Sequence, residues 1–208
     1  MQDDQDYIRE LTEMRTMMER TSKFLSLSGL AGIMAGLYAL AGAFIAYRFF
    51  SFNPDQISDH VVRSEGMGPD LKKVIFLATI ILVLAIGTAI FLSDKKATKR
   101  GENLWNSTSK RLLIHMAVPL ITGGLLILVL ISKGFIGLIA PFTLLFYGLA
   151  LYNASKFTYE EVRSLGLIQI GLGLVSSYFV EYGLLFWAFG FGLVHIIYGI
   201  YMHYRYER

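Results

Sequence analysis

The 208-residue chain contains no cysteine, which excludes disulfides, thiolate metal sites and cysteine nucleophiles. Charge is scarce as well: Asp, Glu, Lys and Arg make up 17% of residues, against about 25% in a soluble domain. What charge there is falls in short stretches between long apolar runs, none of which carries a central Asp, Glu, Lys or Arg. That absence argues against a transporter coupled through an intramembrane carboxylate and against an aspartyl intramembrane protease. No HExxH pair, P-loop or dinucleotide-type glycine fingerprint occurs either. The N-terminus, MQDDQDYIRE, has no basic n-region, short apolar core and small-residue cleavage site. The first apolar segment is therefore expected to act as an uncleaved anchor.

What is present is hydrophobicity: 54% of residues are apolar. A membrane-crossing helix needs about 20 mainly apolar residues. Six segments fit or nearly fit, at residues 24–47, 74–92, 112–131, 135–152, 165–180 and 184–201. The expected fold is all-α: a polytopic membrane protein with six transmembrane helices in three hairpins, spanning residues 24–204. Tight turns are expected at Ser132, Lys133 and Gly134 and at Glu181, Tyr182 and Gly183.

Lys and Arg concentrate in cytoplasmic loops. Fourteen of the 19 lie in the N-terminal tail, the basic loop 93–111, the loop after the fourth segment and the C-terminus. Both termini are thus expected inside, in a multi-pass protein of the plasma (inner) membrane. The net charge of +3 follows from this topology and calls for no nucleic acid. Tyr47, Tyr178, Tyr182 and Trp187 fall at outer ends and Trp105, Tyr152, Tyr201, Tyr204 and Tyr206 at inner ends, as an aromatic belt requires. Asn106-Ser-Thr fits a glycosylation site, but on the wrong side for use.

Two polar segments carry patterns of their own. In residues 1–23, Tyr7, Leu11, Met14, Met18, Thr21 and Leu25 follow heptad spacing, with Asp3, Asp4 and Asp6 at the positive end of a helix. This predicts a cytoplasmic amphipathic helix. It would lie against the bilayer or the bundle, or contact a second protomer or a protein partner. In the outer loop 51–73, Asn53 and Pro54 open a short helix, where Asp55, Asp59 and His60 read as solvated charges.

The remaining candidates are polar groups inside the spans. At about 1.5 Å per residue, His115 lies roughly 5 Å, Gln169 about 6 Å and His195 about 9 Å from the inner ends. Ser26, Ser28 and Asn153 fall in the same zone. Polar groups in lipid need partners, so these are expected to converge in the inner half of the bundle. They could join helices by hydrogen bonds, or form a cytoplasm-facing cavity with His195 as its key residue. His115 and His195 could in principle ligate haem, but two lone histidines make a thin case, and no cofactor is expected. Gly32 and Gly36, with Gly190 and Gly192, are expected to let helices approach closely. The functional expectation is a non-enzymatic scaffold, sensor or accessory subunit. The alternative is a small-solute channel or transporter built on the inner polar cluster.

Overall fold

The computed structural model describes residues 23–50, 69–99, 101 and 103–207. The amphipathic helix expected over residues 1–23, apart from Lys23, and the short helix expected after Pro54 lie outside the described residues. Within them, all regular structure is helical. Helices α1 (Gly29–Phe49), α2 (Pro69–Lys99), α3 (Ser107–Ser132), α4 (Ile139–Ala154) and α5 (Glu161–Tyr178) follow in order. The last, α6 (Val180–Tyr206), opens with a 3-10 turn and is π-helical over Ala188–Val194. Among the described residues, five helices are long and apolar enough to cross a membrane: Gly29–Phe49, Leu71–Lys99, Ser107–Ser132, Ile136–Phe157 and Val180–Tyr206. Helix α5 is not among them. Its 18 residues rise about 27 Å, and Glu161, Arg163 and Gln169 lower its hydropathy.

Several boundaries differ from expectation; α2 and α5 start earlier, at Pro69 and Glu161, and α4 later, at Ile139. The first helix does not begin at Phe24 but at Gly29, and residues 24–28 form a non-helical strap. The cause is competition for its carbonyls, which accept hydrogen bonds from side chains elsewhere in the bundle, as described below. Helix α2 runs on to Lys99 and α3 starts at Ser107, so most of the expected basic loop 93–111 is helical. Asn106 begins α3 with a capping box: its side chain accepts from the Ser109 amide at 2.8 Å, and the Ser109 hydroxyl accepts from the Asn106 amide at 2.9 Å. The turn at Gly134 forms as expected, with φ at 78°, a left-handed value that glycine adopts without strain.

Packing is by close backbone approach, because between spans in lipid no hydrophobic force acts. The two most extensive pairings of helices are α4 with α5 and α1 with α6, followed by α3 with α4 and α1 with α2. Helices α5 and α6 are neighbours in sequence but touch far less, so the third expected hairpin is the loosest. A Cβ placed on Gly36 would lie 2.6 Å from the Gly192 carbonyl oxygen, and one on Gly199 would lie 2.6 Å from the Gly29 carbonyl oxygen. A Cβ on Gly32 would come within 3.2 Å of the Gly199 Cα. Gly32, Gly36 and Gly192 therefore lie on the α1–α6 seam, whereas Gly190 faces Leu144 on α4 and Gln169 on α5. The same device joins α4 to α5, where a Cβ on Gly148 would meet the Gly166 carbonyl oxygen at 2.7 Å. By contrast α2 leans outward: 0% of its apolar stretch is buried. It touches α1 where Ile81 packs on Gly42 and Tyr38 bonds Thr88 at 3.2 Å.

The start of α1, the end of α2, the α4–α5 turn and the end of α6 all meet at one end of the bundle. Gly29 donates its amide to Glu207, Lys96 donates to Glu207 and to the Leu27 carbonyl, and Thr158 bonds the strap.

Candidate functional site

Two polar assemblies occupy the bundle, one in its interior and one at the Lys96 end. The interior one is built on the π-helical stretch of α6. There the backbone N–H of His195 bonds the Gly192 carbonyl, three residues back. The Gly190 carbonyl accepts two side-chain donors, Gln169 Nε2 and His195 Nδ1, each at 2.8 Å. A carbonyl can only accept, so His195 Nδ1 carries the proton. In the neutral ring Nε2 is then an acceptor, and the Tyr147 hydroxyl donates to it at 3.0 Å. Gln169 Nε2 also lies 3.4 Å from His195 Nδ1, but two donors face each other there and no bond forms. Gln169 and His195 are both buried. π-Helical turns release a carbonyl from the regular ladder and recur at functional positions.

Two expected site residues, Gln169 and His195, are thus brought together, with Gly190 supplying the acceptor. The others are not. His115 sits on the exposed side of α3, stacked on Phe157 at 4.7 Å between ring centroids. Ser28 is buried at the Lys96 end, where it begins α1 without using its side chain as a cap. Asn153 is half-buried and makes no side-chain hydrogen bond to the cluster. His115 stands apart from His195, both of whose ring nitrogens have protein partners. Sequence reasoning missed Tyr147, whose ring looked like any other aromatic in an apolar run. Its position one turn before Leu151, on the face of α4 that buries Leu144 and Gly148, was the available signal.

The second assembly holds the strap. Phe24 donates its amide to the Phe157 carbonyl at 2.6 Å, and its own carbonyl accepts from the Thr158 hydroxyl at 2.8 Å. The Leu25 carbonyl accepts from the Tyr159 hydroxyl, and the Leu27 carbonyl from Lys96 Nζ at 2.6 Å. Glu207 completes the knot. Its Oε1 accepts from the Gly29 amide at 2.8 Å and from Lys96 Nζ at 3.0 Å, and its Oε2 from His203 Nδ1 at 2.6 Å. A carboxylate placed at the first turn of α1 also meets the positive end of that helix. Burial alone would raise the Glu207 carboxyl, but His203, the Gly29 amide and Lys96 outweigh it and hold the group down at about 2. Beside this knot, Glu161 Oε1 accepts from the Tyr206 hydroxyl at 2.7 Å and pairs with Arg205 at 3.4 Å.

Among the described residues, no group of three or more His, Asp and Glu could hold a metal ion. No protein-family model matches the chain, and neither a characterised protein nor a solved structure matches it.

Proposed function

We propose that this chain is a non-enzymatic membrane module, a sensor or accessory subunit in which the bundle grips the root of a partner-binding N-terminal segment. The observation that carries this reading is the strap. Residues 24–27 offer three carbonyls and an amide to Phe157, Thr158, Tyr159 and Lys96. A load on residues 1–22 is therefore passed to α2, to the α4–α5 turn and, through Glu207, to α6. A merely anchored tail needs no such grip. The heptad pattern upstream supplies a face for a partner or a second protomer.

Six crossings, both termini in the cytoplasm and a plasma (inner) membrane location belong to the same reading. Supporting them are the meeting of Gly29 and Glu207 at one end of the bundle, which fits an even number of crossings, and the basic side chains gathered there. Deleting residues 1–20 is expected to change assembly state or partner capture while thermal unfolding of the detergent-solubilised bundle stays within about 3 °C, roughly 1 kcal/mol at this size. Unchanged assembly and capture would sink the proposal.

A small-solute channel or transporter is the second reading, and the π-helical cluster of Tyr147, Gln169 and His195 is what favours it. On that reading His195→Ala or Gln169→Ala alters flux in proteoliposomes. Liposomes impermeable to a broad solute panel would remove it.

A further inference from the structure

Four buried side-chain atoms have no hydrogen-bond partner among the described residues: Glu161 Oε2, Tyr198 OH, Gln169 Oε1 and Ser176 Oγ. In a membrane interior such groups are costly to leave unpaired, since no bulk water is at hand. The first three are not scattered. Glu161 and Gln169 stand on α5, eight residues or about 12 Å apart along its axis. Between them Val162 and Leu165 form part of a buried core cluster against which Tyr147, Tyr198 and Tyr206 all pack. Tyr198, packed on that cluster, lies one turn along α6 from His195.

The order from the Lys96 end inward is therefore Glu161, Tyr198, then Tyr147 with His195 and Gln169. Beyond His195 the character changes. Phe191 stacks on His195 at 5.8 Å and lies tilted against Tyr147 at 5.0 Å, and Trp187 packs on Phe191 at 5.1 Å. Ser176 lies two turns further along α5 and takes no part.

We propose that water enters the bundle at the Lys96–Glu207 end and runs as a short file from Glu161 past Tyr198 to the Tyr147–His195–Gln169 cluster, where the aromatic stack stops it. Water suits the vacant atoms chemically. Glu161 Oε2 and Gln169 Oε1 need donors, the Tyr198 hydroxyl can both donate and accept, and buried waters make two to four such bonds. The file is blind, so it hydrates the cluster without connecting the two faces of the membrane. Its existence is independent of solute transport, and impermeable liposomes leave it standing.

A chain without cysteine allows a direct test. Tyr198→Cys and the outward-facing Ile197→Cys (Ile197 is 58% exposed on the lipid side) are labelled in inverted vesicles with a small charged methanethiosulfonate. Such reagents consume thiolates, which form only where water reaches. Tyr198→Cys is expected to react about ten-fold faster than Ile197→Cys or better; equal rates would overturn the file. In the unaltered chain, the Gln169 side-chain amide should show magnetisation transfer from water in NMR spectra, and a dry Gln169 would overturn the file even where the cysteine variant fails to fold.

Discussion

Gly199→Leu is expected to disrupt the bundle, giving little monodisperse protein in mild detergent. Any that is recovered should melt at least about 6 °C lower, which corresponds to roughly 3 kcal/mol of overpacking. The reason is that a Cβ at this position meets backbone, not a side chain that could turn aside: the Gly29 carbonyl oxygen and the Ile33 amide nitrogen both lie 2.6 Å away. The same logic holds for Gly36, whose Cβ would meet the Gly192 carbonyl oxygen. Gly124→Leu is the matched control, because a Cβ there meets nothing within 4 Å. It should melt within about 1 °C of the unaltered chain, in line with the small effect of surface changes. Equal losses for Gly199→Leu and Gly124→Leu would mean that the α1–α6 seam is not the contact described here.

Lys96→Met carries the second large effect. Lys96 and Glu207 side chains are 12% and 11% exposed, and removing one partner of such a pair leaves a buried charge, at a cost of about 3 kcal/mol. The lysine also satisfies the Leu27 carbonyl, so its loss frees the strap as well. Lys96→Met is expected to lower the melting temperature by about 6 °C or more. Adding Glu207→Gln should recover part of that loss, since the stranded charge is then gone; a double variant as poor as the sum of the singles would show that the two residues do not interact.

The pH dependence follows from the same carboxyl. Its folded value of about 2 lies below its ordinary 4.5, so its stabilisation is complete above about pH 4.5 and is lost as pH falls toward 2. Between pH 5 and pH 3 the unaltered chain should lose more stability than Glu207→Gln.

The helices were legible because lipid imposes one rule: about 20 apolar residues per crossing, with charges outside. Residues 112–131 and 184–201 meet that rule with little ambiguity and lie within α3 and α6. The weaker fifth segment, 165–180, has the apolar core of a span, whereas α5 starts at Glu161 and takes in charge. The strap escaped notice for a different reason. Nothing in Phe24, Leu25, Ser26 or Leu27 forbids helix; the helix is lost to hydroxyl and ammonium donors on Thr158, Tyr159 and Lys96, which come from distant parts of the chain.

The interior cluster was half legible. Depth along a helix brought Gln169 and His195 to one level and misplaced His115, because depth says nothing of azimuth: His115 is on the outward side of α3. The Gly190 carbonyl gave no sequence signal at all. The glycine itself was visible, but the π-helical turn that presents its carbonyl to Gln169 and His195 is a property of the folded α6.

Hydrogen–deuterium exchange at the Phe24 and Gly29 amides tests the central claim most directly, that the root of the N-terminal segment is gripped by the bundle. Each has a single distant acceptor, the Phe157 carbonyl and the Glu207 carboxylate. Both amides should be protected to the level of the α4–α5 core in the unaltered chain, and the protection of both should fall together in Lys96→Met. Exchange at the rate of an open chain in the unaltered protein would contradict the account, because a strap that is not held cannot pass on a load.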